Sequence, residues 1–138
     1  MKTINGLDAA DLLEQELGVK PDSFLKDKQY VLMPEQWYFK SPRFFKSFEY
    51  LEYVADGNDC DDFQRTGREE MQQRFLKTKE VGLGGLPVFR VKVMTVANIF
   101  HEVMAVILPS KKVMLIERTA DRIIRCEDVR EVYNVYPA

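Results

Sequence analysis

Residues 88–117 read VFRVKVMTVANIFHEVMAVILPSKKVMLIE, and this stretch decides the fold. Most of it is apolar and rich in β-branched residues, and the charged residues Arg90 and Lys92 alternate with valines near its start. Such a pattern is typical of β-strands. A turn at 109–112, which reads Pro-Ser-Lys-Lys, divides its second half. The stretch therefore predicts three strands, at Val88–Val93, Phe100–Leu108 and Val113–Glu117.

Helix signals lie upstream of these strands. Asp8 is a good N-cap, leucines follow it at helical spacing, and Gly18 stands where a helix would end. A helix over residues 8–17 is therefore predicted. A Ser-Pro pair predicts the start of a second helix, over residues 42–54.

A third helix is predicted to have Cys60 in its first turn and to continue to Phe75. Asn58 or Asp59 can cap it, because both side chains accept hydrogen bonds from free backbone amides. Gly67 lies in its interior, where glycine costs about 1 kcal/mol relative to alanine. We expect a compensation in the form of a close approach of this helix to the layer beneath.

Length, charge and cysteine content exclude several classes of protein. The 138 residues, with 20 basic and 22 acidic side chains and a net charge of −2, predict a single domain over 1–138. The chain lacks the basic excess of domains that bind nucleic acid through phosphates. No apolar run approaches the roughly 20 residues that span a membrane, and no signal peptide is evident, so we expect a cytoplasmic location. Two cysteines are too few for a disulfide framework.

Three residues form a candidate catalytic set. Cys60 falls at a helix start, where the helix dipole stabilises a thiolate. His101, which is the single histidine, lies on the second strand and can take the thiol proton. Glu117 ends the third strand and can hold the imidazole in the required tautomer. By contrast, Cys126 has no such surroundings in the sequence and is predicted to be structural.

The turn length decides whether two of these residues can meet. Side chains alternate between the faces of a strand, so partners on one face depend on the parity of the loop. A three-residue loop at 109–111 would place His101 opposite Thr119, with Glu117 diagonal to it on the same face. A two-residue turn would place them on opposite faces. The candidate set therefore requires an odd loop or a β-bulge.

The motifs together resemble a known family. Asn-Asp-Cys-Asp-Asp-Phe at 58–63, His101 with an apolar strand after it, and Leu-Ile-Glu at 115–117 are similar to the papain-like cysteine peptidase domain at the C-terminus of certain fungal agglutinins. Relatives of that domain occur in bacterial and phage proteins. The resemblance implies an α+β papain-like fold, with N-terminal helices packed on a small antiparallel β-sheet.

The same resemblance implies roles for individual residues. Cys60 would be the nucleophile, with His101 as its base and Glu117 as the orienting carboxylate. Asp61 matches an acidic position that helps to bind calcium, although the acidic run around it also fits simple helix capping. Gln36 lies upstream, where papain-like enzymes often place an oxyanion donor, and backbone amides at the nucleophile are the alternative.

The sequence also departs from the family pattern. Glu102 follows the histidine, where small residues are common, and Arg118-Thr119 replaces a Pro-Gln pair after the glutamate. The missing glutamine weakens the calcium site.

These observations predict a cysteine-dependent hydrolase, a peptidase or amidase, that acts through an acyl-cysteine intermediate. It would require no cofactor, with calcium as an optional one, and its partner would be a peptide or protein substrate. Two alternatives stay open. One is a transglutaminase-like acyl transferase, and the other is a non-catalytic interaction protein on the same fold.

Overall fold

The computed structural model describes residues 2–21, 29–40, 60–119 and 122–137, and for residues 60–62 it describes the backbone alone. These ranges contain seven strands and three α-helices. In chain order the elements are β1 (Thr3–Asn5), α1 (Gly6–Leu17), β2 (Gln29–Val31), α2 (Glu35–Tyr38), α3 (Cys60–Leu76), a 3-10 helix (Lys79–Leu83), β3 (Val88–Thr95), β4 (Phe100–Ile107), β5 (Val113–Arg118), β6 (Ile123–Arg125) and β7 (Val129–Pro137).

A five-stranded antiparallel sheet organises these residues, in the order β6-β5-β4-β3-β7. Only residues 126–128 join its two edge strands, β6 and β7. In a flat sheet the two edge strands would be four strand spacings, or about 19 Å, apart. A connection of three residues spans only about 14 Å. The sheet must therefore curl, so that its edges approach each other at this end. Separately, β1 and β2 form a small antiparallel pair.

Apolar side chains cover both faces of the sheet. On the inner face of the curl, Val91, Val103 and Ala105 pack with Leu13 of α1. On the outer face, a second cluster joins the sheet to α2 and α3, and it includes Trp37, Tyr38, Met71, Phe75, Met104, Val106 and Ile116. The helices therefore lie on opposite sides of the sheet, with α1 against the inner face and α3 against the outer one.

Gly67 lets α3 approach the sheet closely. A Cβ added at this position would lie 3.0 Å from the Cβ of Arg118 and 3.0 Å from the Cε of Met104. Few real Cβ atoms have contacts this short, so a larger side chain would push the helix away from β4 and β5. The close approach predicted from the sequence is confirmed.

The turn between β4 and β5 has the odd length that the candidate set requires. Ile107 pairs with Val113, and the amide of Leu108 donates to the carbonyl of Lys112 at 2.9 Å, so three residues form the loop. Its last residue, Lys111, has a φ of 66°, which is typical of three-residue hairpin loops. The register therefore puts His101 and Glu117 on the same face.

Several local predictions are confirmed and one is corrected. Strands occur at all three positions predicted within 88–117, and α1 ends at Gly18, which has a φ of 76°. The N-cap of α1 is Asn5, whose side chain accepts from the amide of Asp8 at 2.9 Å, so the prediction of Asp8 as the cap is wrong. The second helix, predicted over 42–54, lies outside the described residues.

The predicted fold class, α+β and papain-like with N-terminal helices packed on a small antiparallel sheet, is wrong for the described residues. They have more residues in strands than in α-helices, and their core is the five-stranded sheet rather than a set of helices. Residues 122–137, which carry only weak strand signals in the sequence, add two strands to that sheet. Tertiary pairing supplies the partners that local sequence preference does not indicate.

No helix within the described ranges combines the length and the apolar character needed to cross a membrane.

Candidate functional site

A histidine–glutamate pair lies where β4 and β5 separate. The Nε2 atom of His101 is 2.7 Å from Oε2 of Glu117, and the two side chains are 23% and 22% exposed. The last pair between these strands joins Met104 to Ile116, so the ladder ends just before the two side chains meet. The structure thus brings together two of the three predicted catalytic residues.

The contact assigns different roles to the two ring nitrogens of His101. Glu117 is an acceptor when ionised, so Nε2 carries the hydrogen that it receives. In a neutral ring this leaves Nδ1 with the lone pair, available to accept a proton or a hydrogen bond from a ligand. The carboxylate also holds the ring in one orientation, as an orienting residue does in a catalytic triad.

The side chain of Gln64, in the second turn of α3, reaches the gap between β4 and β5. Gln64 is only 1% exposed, and its side-chain amide makes two hydrogen bonds to the backbone of Arg118, at 2.9 Å from the amide nitrogen and at 3.1 Å to the carbonyl oxygen. Arg118 directly follows Glu117. The start of α3 is therefore attached to the residue next to the histidine–glutamate pair.

Cys60 is the first residue of α3, one helical turn before Gln64. Its side chain and that of Asp61 lie outside the described residues, so both roles stay predictions. The backbone nevertheless puts the start of the helix at the end of the sheet where Glu117 lies, because the pitch of an α-helix is only about 5.4 Å.

The predicted oxyanion donor, Gln36, lies at the other end of α3. The carbonyl of its neighbour Trp37 accepts a hydrogen bond of 2.9 Å from Arg74, in the last turn of this helix. Arg74 is fourteen residues after Cys60, which corresponds to about 21 Å along the helix axis. The structure does not bring Gln36 to the start of α3, and backbone amides there are the remaining candidates.

Glu102, which departs from the family pattern, has a structural role. It is 2% exposed and lies 3.5 Å from Nζ of Lys92 and 3.8 Å from Nη1 of Arg68 on α3. Because neighbours in a strand point to opposite faces, Glu102 points to the side of α3, and His101 points to the inner face of the curl. The substitution therefore leaves the histidine–glutamate pair undisturbed.

Cys126 is a buried cysteine, which agrees with the structural role predicted for it. Its Sγ lies 3.2 Å from Oδ1 of Asp128. Burial, followed by this hydrogen bond and by the charge of Glu117, raises the pKa of the thiol to about 12. A nucleophile must be a thiolate, and the raised pKa disfavours the thiolate of Cys126 at neutral pH.

Three side chains that could together bind a metal ion lie in the same region. One donor atom from each of Glu117, Cys126 and Asp128 lies within 4.8 Å of the others. A thiol with two carboxylates suits zinc or a similar transition metal better than calcium, which prefers oxygen ligands. This set differs from the predicted calcium position at Asp61.

Sequence reasoning missed Gln64 and Asp128. Gln64 stands one turn after Cys60 on the candidate helix, but a single glutamine carries no signal of burial. Asp128 stands two residues after a cysteine, and the pairing of β6 with β5 brings this connection towards Glu117.

The sequence matches no protein-family model and no curated protein. The fold, however, has solved counterparts. One is the Polyporus squamosus lectin bound to the human-type influenza-binding epitope Neu5Aca2-6Galb1-4GlcNAc, with a TM-score of 0.76 and 13% identity over 97% of this chain and 49% of that chain. Another is the PSL1a-E64 complex, with a TM-score of 0.70 and 14% identity over 97% of this chain and 50% of that chain. The fold resembles half of a lectin chain.

This likeness shows a shared fold and nothing more, because sequence identity is low and the chain spans about half the length of each counterpart. It overturns the assignment to the papain-like peptidase family. The counterparts are described as a lectin and as PSL1a, and neither description is of a hydrolase or a cysteine protease. The motifs were insufficient because a cysteine, a histidine and a glutamate, spaced by 41 and 16 residues, define an order along the chain rather than a family.

The lectin counterpart is a binding protein whose described ligand is a carbohydrate, whereas the sequence predicts a peptide or protein partner.

Proposed function

We propose that this domain binds a ligand at the end of the sheet where Glu117 holds His101. The 2.7 Å contact between Nε2 and Oε2 carries the proposal, because both side chains stay about one-fifth exposed although the pair is fixed. A pair that served only packing would be covered, and a pair on an open surface would contribute little. This pair is oriented and still reachable by a ligand.

Carbohydrate is the ligand class that the comparisons favour, and we infer it for this chain as the first one to test. The free Nδ1 of a neutral imidazole and the carboxylate oxygens supply acceptors for sugar hydroxyl groups. The exposed aromatic pair of Phe100 and Tyr133, whose rings lie 5.5 Å apart, does not extend this site, because Phe100 precedes His101 in β4 and points to the opposite face of the sheet.

A titration with the trisaccharide Neu5Aca2-6Galb1-4GlcNAc tests this function. We expect saturable binding by the wild-type chain, measured by calorimetry, and at least a tenfold weaker affinity for His101→Ala. The exposed Gln73→Ala variant is the control and should bind like the wild type. Absence of binding by the wild type, or equal binding by His101→Ala, would refute the carbohydrate proposal.

The attachment of α3 beside Glu117 favours a second candidate, nucleophilic chemistry at Cys60. His101 would take the thiol proton on Nδ1, and the sulfur would attack the carbonyl carbon of an amide or thioester in a peptide or protein. Collapse of the tetrahedral intermediate would release the amine or thiol, which takes that proton. The resulting acyl-cysteine would pass its acyl group to water or to another amine.

Alkylation of Cys60 distinguishes the two candidates. The rate of modification by iodoacetamide is followed between about pH 5 and 9 in the peptide that contains Cys60, in the wild type and in His101→Ala. An activated thiol gives a rate plateau well below neutrality, and His101→Ala abolishes it. A rate that rises only near pH 8.5, as for an ordinary thiol, and that is unchanged in His101→Ala would leave ligand binding as the only one of the two functions still supported.

E64, the compound in the PSL1a complex, provides a second probe of the thiol. It carries an epoxide that a thiolate opens, so an activated Cys60 would gain the mass of the intact compound. Cys60→Ser should gain none, while Cys126→Ser should behave like the wild type. Modification of the wild type at Cys126 instead would contradict the assignment.

Calcium at Asp61 is a further proposal that rests on the sequence. Acidic neighbours oppose formation of a thiolate, and a bound cation would reverse their effect. We expect calcium to extend the alkylation plateau to lower pH in the wild type and not in Asp61→Asn. Identical profiles with and without calcium would remove the ion from the proposal.

A further inference from the structure

Two side chains of α3 hold one residue of β5. Gln64 bonds to the amide and carbonyl of Arg118, while Oε1 of Glu70 lies 2.7 Å from Nε of the same arginine. The side chains of Glu70 and Arg118 are 1% and 0% exposed. This anchor is buried and continuous over two turns of the helix.

Gln64 occupies a place that a strand would otherwise fill. The carbonyl of Leu115 accepts from the amide of Cys126, so the backbone groups of alternate residues, Ile116 and Arg118, point to β4. Ile116 pairs with Met104 there, and the ladder then ends. The amide of Gln64 supplies to Arg118 the donor and the acceptor that β4 no longer offers.

The replacement of strand hydrogen bonds by the side chain of Gln64 has a geometric consequence for the site. An ordinary ladder would continue past Arg118 and close the gap between β4 and β5. Since the Gln64 side chain replaces it, the start of α3 lies beside the gap and is attached by two hydrogen bonds to the residue after Glu117. Cys60 is one turn from that point.

We propose that Gln64 is a positioning residue, which fixes the first turn of α3, and with it Cys60, relative to the His101–Glu117 pair. The proposal rests on the thiol chemistry described above as the second candidate. Gln64 touches no ligand in this scheme and acts through the backbone of Arg118.

The test compares three variants by the pH profile of Cys60 alkylation and by thermal unfolding. Gln64→Met keeps the length of the side chain and removes both hydrogen bonds. Gln73→Met makes the same change at an exposed position of α3. Asn5→Ala removes the N-cap of α1 and lowers stability far from the site. We expect Gln64→Met alone to lose the low-pH plateau, with a rate near pH 6 at least tenfold below that of the wild type.

Each outcome has a separate meaning. A plateau in both the wild type and Gln64→Met would overturn the positioning role. Loss of the plateau in Asn5→Ala as well would show that lowered stability is sufficient, and it would overturn the role too. A wild type without a plateau would refute the thiol chemistry itself. If Gln64→Met fails to unfold cooperatively, Gln64→Glu replaces it. This variant keeps the acceptor for the amide of Arg118 and loses the donor to its carbonyl, so we expect an intermediate rate, whereas a wild-type rate would overturn the role.

Discussion

The thiol of Cys126 offers a quantitative test of the fold around Glu117. Burial, with Asp128 and Glu117 adding to it, raises its pKa from about 9 to about 12. Above the lower value the unfolded chain releases the proton and the folded chain keeps it, so the free energy of unfolding falls as the pH rises. The fall approaches about 1.4 kcal/mol per pH unit and about 4 kcal/mol over the whole interval. Below pH 9 both states keep the proton, and Cys126 contributes no pH dependence.

Urea unfolding of the wild type and of Cys126→Ala, at intervals from pH 7 to pH 11, isolates this effect. Lysines and tyrosines also titrate at alkaline pH, but they do so in both proteins, so the difference between the two free energies reports the thiol. We expect this difference to be constant up to about pH 9 and then to shrink by up to about 1.4 kcal/mol per unit. A difference that stays constant to pH 11 would refute the burial of the thiol beside two carboxylates.

Three substitutions on α3 and β5 test how the helix is held. Gly67→Ala should be about 1 kcal/mol less stable than Gly82→Ala in thermal unfolding, because overpacking against the sheet exceeds the gain in helix propensity; equal stabilities would argue against the close approach. Glu70→Leu should cost about 3–5 kcal/mol in urea unfolding, whereas the exposed Glu69→Leu should cost little, since only the former leaves a buried guanidinium without its carboxylate. Adding Arg118→Met to Glu70→Leu should recover most of the lost free energy of unfolding. A double variant that is less stable than Glu70→Leu would contradict the pairing of Glu70 with Arg118.

The alternation of side chains in the strands could be predicted from the sequence, and with it the key contact of the site. Valines spaced by two residues define the strands of the hairpins, and Pro109 marks the turn. Loop parity then gave a definite condition for His101 and Glu117 to meet. The structure satisfies that condition, because its register is fixed by local turn geometry that the sequence specifies.

Other parts of the fold depend on contacts between distant segments, which local patterns do not encode. The strands within residues 122–137 form because β3 and β5 offer open edges, although their own residues have mixed preferences. Glutamine is usually a surface residue, and Gln64 is buried because its side chain bonds to the backbone of Arg118 beyond the end of the β4–β5 ladder. The predicted family was wrong for a related reason. The order of a few residues along the chain says little about the helices and strands that position them.

The effect of an insertion in the hairpin between β4 and β5 depends on whether the number of inserted residues is odd or even. Adding or removing one residue at 109–111 would rotate every side chain of β5 by half a turn, so that Arg118 would replace Glu117 on the inner face and a cation would face the imidazole. A change of two residues would keep each side chain on its present face. Homologous chains that retain the pair should therefore differ in this loop by even numbers of residues.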